Sequence, residues 1–327
     1  MKRSLLILFL FFILISVEAS DNKNSKYLTK LKADESELRV NFNRITLSIY
    51  DSGWNGGGVI DTNKFLFSSG FFISGINASG EIWSNGIFTS SRINAYLPGT
   101  VDSGPDVKSL FFVSRESKPF GIEWNDWKEA VGLGAEFYDG DNDGIYNPID
   151  KNNNGFWDAD EDRPAIYGDV MTWSVYNDGG IQAAQGINIR QTVWSQKGTP
   201  DIDKVVFVKY SLENTGKISS TQDSVLFSIA ADPDLGYYGN DLIGSNVNIN
   251  EVFTYDRWND PYLNEESVSF LTTLVQGPIT EKMGNISYRL ETENFNSIRE
   301  LDEVNNPIIA THRINRFTNS SDPENVR

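Results

Sequence analysis

The chain has 327 residues, 28 Lys and Arg against 45 Asp and Glu, a net charge of −17, one histidine and no cysteine. So acidic a balance repels phosphates and argues against nucleic acid as a partner, and the missing cysteines exclude disulfides, thiolate metal sites and cysteine nucleophiles. With 39% hydrophobic and 13% aromatic residues the chain can bury a core, which a disordered polymer cannot.

Lys2 and Arg3 precede an apolar stretch from Leu5 to Val17, and Val17-Glu18-Ala19 ends it with small residues at the positions a signal peptidase reads. That pattern predicts a secretory leader over residues 1–19, too short for a confident membrane span, and no second apolar run of spanning length follows. An exported location, secreted or at the cell surface, is therefore expected. Residues 20–40 are polar and read as a linker.

Short apolar segments separated by Gly, Asn, Asp and Ser come next. Ile45–Tyr50, Lys64–Phe67, Phe71–Ile73 and Glu81–Phe88 read as strands, with turns at Trp54-Asn55-Gly56-Gly57-Gly58 and Asn77-Ala78-Ser79-Gly80. Glu123–Ala130 is the best short helix candidate. Further on, Val205–Glu213, Ser224–Ala230 and Val268–Val275 read as strands. The expected fold is all-β, with antiparallel β-sandwich domains and a helix-poor calcium-loop insertion. The expected division is an N-terminal domain over residues 41–200, containing loops at 139–162, and a second sandwich over 201–327.

The insertion carries the sharpest chemistry. From Asp139, carboxylates stand at loop positions one, three and five (Asp139, Asp141, Asp143), glycine at six (Gly144), a backbone carbonyl at seven (Ile145), Asn147 at nine and Asp150 at twelve. This is the oxygen-ligand spacing of an EF-hand-type calcium loop, in which alternate residues aim oxygens at one centre and the glycine allows the sharp turn. The template restarts on Asp150, with Asn152 and Asn154 at three and five, Gly155 at six, the Phe156 carbonyl at seven, Asp158 at nine and Glu161 at twelve. Asp150 is thus expected to close the first loop and open the second, with Ca2+ as the bound ion in both. Pro148 and the glycine-rich flanks deny these loops EF-hand helices. They resemble thrombospondin type-3 repeats and dockerin loops, a resemblance that implies a structural role for the ion. Asp232, Asp234 and Asp241 form a weaker acidic cluster, equally readable as a third ion site or as a hairpin loop.

A wider resemblance rests on Phe71-Phe72-Ile73-Ser74-Gly75, on Trp124–Glu161 through Tyr146-Asn147-Pro148, and on Phe207–Asn214. Asp232-Pro233-Asp234-Leu235-Gly236, Asp241-Leu242-Ile243-Gly244 and Val275-Gln276-Gly277-Pro278 add to it. Together these scattered patches are similar to large secreted proteins exported by the type IX system of gliding and surface-dwelling bacteria. The resemblance implies an extracellular or surface location more than an activity. Such proteins usually carry a C-terminal sorting domain, and none is evident before Arg327, so the second domain is expected to be cut short.

Catalytic patterns are thin. His312 alone supports neither a triad nor a multi-histidine zinc site, and Gly56-Gly57-Gly58 lacks the lysine and helix of a phosphate cradle. Glu123, Asp126 and Glu129, interleaved with Trp124 and Trp127, have the composition of a sugar-cleaving site but the spacing of a short amphipathic helix. Trp173, Trp194 and Trp258 read as core or rim residues. The expected function is a non-catalytic, calcium-rigidified surface or adhesion protein with no catalytic residues, whose partners are calcium ions and surface polysaccharide or other surface proteins. A carbohydrate-active protein, either binding module or glycosidase, is the alternative.

Overall fold

The computed structural model describes residues 3–5, 10–12, 36–87, 96–104, 106–181, 183–246, 251–256 and 269–276. Trp258 and His312 lie outside them.

Strand β3 (Glu37–Phe42) alternates strictly, burying Leu38, Val40 and Phe42, and β4 (Ile45–Tyr50) buries Ile45, Leu47 and Ile49. A period of two puts alternate side chains on one face, so each strand makes half of an interior. The expected linker thus ends before Glu37. A two-residue turn joins β3 to β4 through Asn43 at φ 58°, and another joins β5 (Asn55–Ile60) to β6 (Asn63–Asn77) through Asp61 at φ 51°. Asn and Asp tolerate this left-handed conformation better than other side chains. The first sheet runs β15 (Gln222–Pro233), β6, β5, β4, β3, and β7 (Ile82–Ile87) also pairs with the long β6. The second runs β1 (Arg3–Leu5), β14 (Phe207–Asn214), β13 (Ile187–Ser195), β12 (Val170–Asn177), β8 (Leu97–Pro98), with β9 (Leu110–Ser114) also on β12. A third contains β16 (Asp241–Asn246), β17 (Glu251–Asp256), β18 (Ser269–Gln276) and β2 (Leu10–Phe12). Every pairing is antiparallel.

The first two sheets face each other as a sandwich. Phe71 lies at the centre with no exposed surface, its ring 5.2 to 6.2 Å from those of Phe227, Tyr96, Tyr210 and Tyr176. Leu110, Phe112, Val170, Val193 and Val206 from the second sheet's side meet Val40, Leu47, Ile60 and Phe65 of the first. A polar link crosses this interior. Asn55 Nδ2 donates to Gln191 Oε1 at 3.3 Å, and Gln191 Nε2 donates back to Asn55 Oδ1 at 2.9 Å. Reciprocal amides satisfy each other, so the pair can be buried without leaving a polar group unmet.

The second sheet is covered on its other face as well. Between β9 and β12 the chain makes helix α1 (Ile122–Gly132) and the acidic insertion. Trp124, Trp127 and Ala130 recur at helical spacing and pack on Phe111, Val113, Met171, Trp173 and Val175. Gly134, at φ 102°, turns the chain away after the helix, as an end in the left-handed region favours glycine. The two-stranded pair β10 (Phe137–Tyr138) and β11 (Arg163–Pro164) then pinches together the two ends of residues 139–162.

Several expectations change. The boundary expected at residue 200 does not divide the sheets: β14 continues the sheet of β12 and β13, and β15 pairs along β6. Asn55–Gly58 is not a turn but the start of β5, where Gly57 at φ 55° and register shifts let a glycine-rich segment run as an irregular strand. The two strands expected at Lys64–Phe67 and Phe71–Ile73 are one. Arg3–Leu5 and Leu10–Phe12, inside the expected leader, pair with β14 and β18.

Candidate metal centre

Both loops of the insertion adopt the same backbone. The fourth residue of each is left-handed (Asn142 φ 59°, Asn153 φ 58°), and so is the sixth (Gly144 φ 76°, Gly155 φ 79°). Their hydrogen bonds repeat in register. The first carboxylate accepts from the amides of residues five and six: Asp139 from Asp143 (3.2 Å) and Gly144 (2.9 Å), Asp150 from Asn154 (3.1 Å) and Gly155 (2.7 Å). The fifth side chain accepts from the amide of residue seven, Asp143 from Ile145 and Asn154 from Phe156, each at 2.7 Å. Ile145 and Phe156 point into solvent, 65% and 72% exposed, so the loops are shaped by their polar groups and not by burial of these two side chains.

In the first loop, carboxylate oxygens of Asp139, Asp141 and Asp143 all lie within 4.8 Å of one another. Like charges at such a distance repel, and a cation relieves the repulsion. Part of that relief comes from Lys151, whose Nζ donates to Asp141 Oδ2 at 3.1 Å and to the Asp160 carbonyl; the bond holds the Asp141 carboxyl below its usual range. In the second loop Asn152 Nδ2 and Asn154 Nδ2 donate to Asp158 Oδ2 at 2.8 and 2.9 Å, so side chains of positions three, five and nine converge. An all-oxygen donor set of carboxylates, amide oxygens and backbone carbonyls fits a hard cation such as calcium and not a soft metal.

The twelfth position departs from the sequence template. Glu161, 1% exposed, accepts from the amide of residue two of its loop, Lys151 (2.6 Å), and of residue nine, Asp158 (2.9 Å). The equivalent bonds in the first loop go to Asp162, 3% exposed, which accepts from Gly140 (2.9 Å) and Asn147 (2.7 Å). Asp150 gives both of its oxygens to second-loop amides. In the first loop the hydrogen bonds that Glu161 makes in the second are made by Asp162, because β10 and β11 bring the end of the insertion back beside its beginning. Sequence spacing passed over Asp162, since the first loop's twelve-residue count ends at Asp150 and the second's at Glu161.

No protein-family model matches the chain, and the curated proteins and solved structures compared with it show no significant similarity.

The insertion is anchored from below. Tyr146 is buried against α1 and donates from its hydroxyl to the Trp124 carbonyl at 2.9 Å, while Trp157 Nε1 donates to the Glu161 carbonyl at 2.9 Å. Arg163 stacks its guanidinium over Trp157 and Tyr138, 4.7 and 5.3 Å from the ring centres. The remaining candidates stay apart. Among the described residues only the Asp139 group brings three acidic or histidine ligands so close, so Asp232, Asp234 and Asp241 are not gathered in the same way. Asp241 instead accepts from the Leu235 amide at 3.1 Å. Along α1, Trp124 and Trp127 face the core, and Asp126 pairs with Lys108 at 2.6 Å. Trp173 is buried and Trp194 stacks on Phe207 at 5.2 Å, so neither presents a free flat face. Among the described residues no helix is long and apolar enough to cross a membrane.

Proposed function

We propose that this is an exported, calcium-binding, non-catalytic surface or adhesion protein in which two calcium ions stiffen an insertion packed on a β-sandwich. The first ion takes Asp139, Asp141, Asp143, the Ile145 carbonyl and Asn147, closed by Asp162. The second takes Asp150, Asn152, Asn154, the Phe156 carbonyl and Asp158, closed by Glu161. The supporting observation is the repetition, in register, of one hydrogen-bond pattern in two adjacent loops. A cluster of acids arising by chance would not reproduce the same left-handed residues and the same amide bonds twice. The role of the ions is mechanical. They neutralise carboxylates that repel one another and steady the insertion where Tyr146 and Trp157 pack on the cluster of α1 and the second sheet.

Calorimetric titration of the folded protein tests the reading. It predicts two calcium equivalents with dissociation constants of about 10⁻⁴–10⁻³ M, the range of extracellular calcium modules, and poor replacement by magnesium, which demands a smaller octahedral cage. A flat titration at millimolar calcium would overturn it.

A further inference from the structure

The two loops share a backbone but not a charge balance. The first gathers the carboxylates of Asp139, Asp141 and Asp143, and Asp162 bonds two of its amides. The second has neutral side chains at positions three and five, where Asn152 and Asn154 donate to Asp158. Lys151, at position two of the second loop, offsets the difference. Its backbone amide donates to Glu161 at 2.6 Å, while its ammonium crosses to Asp141 Oδ2 of the first loop at 3.1 Å and donates also to the Asp160 carbonyl.

An ammonium and a calcium ion seek the same oxygens of Asp141. A lysine ammonium is a compact point charge with three donors, and a crowd of carboxylates attracts it as it attracts a metal. Calcium coordinates oxygens directly, and Asp141 stands at position three of the first loop, a ligand position. A divalent ion there repels a like charge a few ångströms away, and a carboxylate drawn to the ion has less to offer Lys151. Lys151 can leave at little cost, because its side chain is 39% exposed and an ammonium at the surface is well hydrated.

We propose that Lys151 is a tethered counter-ion of the first loop, bound to Asp141 until calcium displaces it. Its role rests on the calcium reading above: without an ion to bind, there is nothing for Lys151 to oppose. At low calcium the lysine offsets the repulsion among the three carboxylates and helps the loop keep its shape. It also opposes the ion, because each calcium that enters must break the pair. Lys151 thus sets the calcium concentration at which the first site fills.

The amides of Gly144 and Gly155 each donate to the first carboxylate of their own loop, so a calcium titration followed by their nuclear magnetic resonance signals reads the two sites separately. Lys151→Gln should tighten the first site about three- to tenfold, the effect of removing one like charge near a divalent ion in a water-exposed setting, and change the second less. Lys151→Arg, which keeps the charge, should bind like the parent. Lys217→Gln removes the same charge from the ion pair with Asp102 and should alter neither site. A second measurement needs no substitution. Labelling with an amine-reactive ester, read by mass spectrometry, should modify Lys151 several-fold faster in millimolar calcium than in chelator, with Lys217 alike in both. First-site binding that is unchanged or weaker in Lys151→Gln, or equal labelling of Lys151 in both solutions, would overturn the proposal and leave the calcium reading standing. If neither glycine amide responds to calcium in the parent protein, that reading fails and the proposal with it.

Discussion

Both oxygens of Asp162 are engaged by amides of the first loop, and both oxygens of Asp150 by amides of the second. The two ions should therefore be separable. Asp150→Ala is expected to abolish the second site and leave the first near its native affinity, and Asp162→Asn to weaken the first alone. Titration calorimetry on both variants checks this, and loss of both ions in Asp150→Ala would restore a shared ligand. Removing part of a charge-assisted bond of this kind costs about 1.5–3 kcal/mol. Asp162→Asn should therefore also lower the melting midpoint in chelator, where no ion contributes. Another carboxylate has a separate consequence. Burial pushes Asp51 up to about 6, against amide bonds from its own backbone and Ser52 that pull the other way. The folded state then holds the proton more tightly than the unfolded chain, whose aspartates titrate near about 3.9. Stability from this group falls as pH rises from about 4 to about 6 and is flat above. Asp232, raised to about 6 by burial and by the charge of Asp234, acts in the same direction. Asp51→Asn should accordingly melt higher than the parent at about pH 7.5, with the difference vanishing near about pH 4. An equal gap at both pH values would contradict it.

At the scale of elements, the insertion is held by contacts that glycine makes possible for two different reasons. A Cβ on Gly140 would sit 2.3 Å from the Glu161 carbonyl oxygen and 2.4 Å from its nitrogen, so the two ends of the insertion touch through backbone alone. Nothing lies within 4 Å of a Cβ at Gly144, which is needed only for its left-handed φ of 76°. Gly140→Ala should destabilise by about 1–3 kcal/mol through overpacking and disturb the amide that bonds Asp162. Gly144→Ala should cost about 1–2 kcal/mol through backbone strain. Thermal melts in chelator compare the two, and a neutral Gly140→Ala would show that the close approach is not required. The repeated backbone of the loops was readable in the sequence because the residues that shape it are local, at spacings of two within twelve residues. Strands such as Ile45–Tyr50, and Val205–Glu213, which is observed as Phe207–Asn214, were readable for the same reason. Asn55–Gly58 was not, because glycines that serve as a turn elsewhere are here held in a sheet by β4 and β6. Asp162 was illegible because its role depends on the pairing of β10 with β11, a contact between residues more than twenty positions apart.

For the whole molecule, the sandwich and the insertion share one sheet. Its inner face makes the core with Phe71 and its neighbours, and its outer face carries Trp124, Trp127, Tyr146 and the loops above them. An ion that steadies the loops therefore steadies the outer covering of that sheet. The expected two-domain division had no means of seeing this, since β14 and β15 return from beyond residue 200 to complete sheets begun earlier. Binding to the folded state alone adds stability in proportion to the logarithm of ligand excess. At roughly ten times the dissociation constant each site contributes about 1.4 kcal/mol. The most direct test is the melting midpoint of the protein in chelator and in millimolar calcium. The account predicts a clearly higher midpoint with calcium, little gain with magnesium, and about half the gain in Asp150→Ala, which keeps one site. Superimposable melting curves with and without calcium would contradict it.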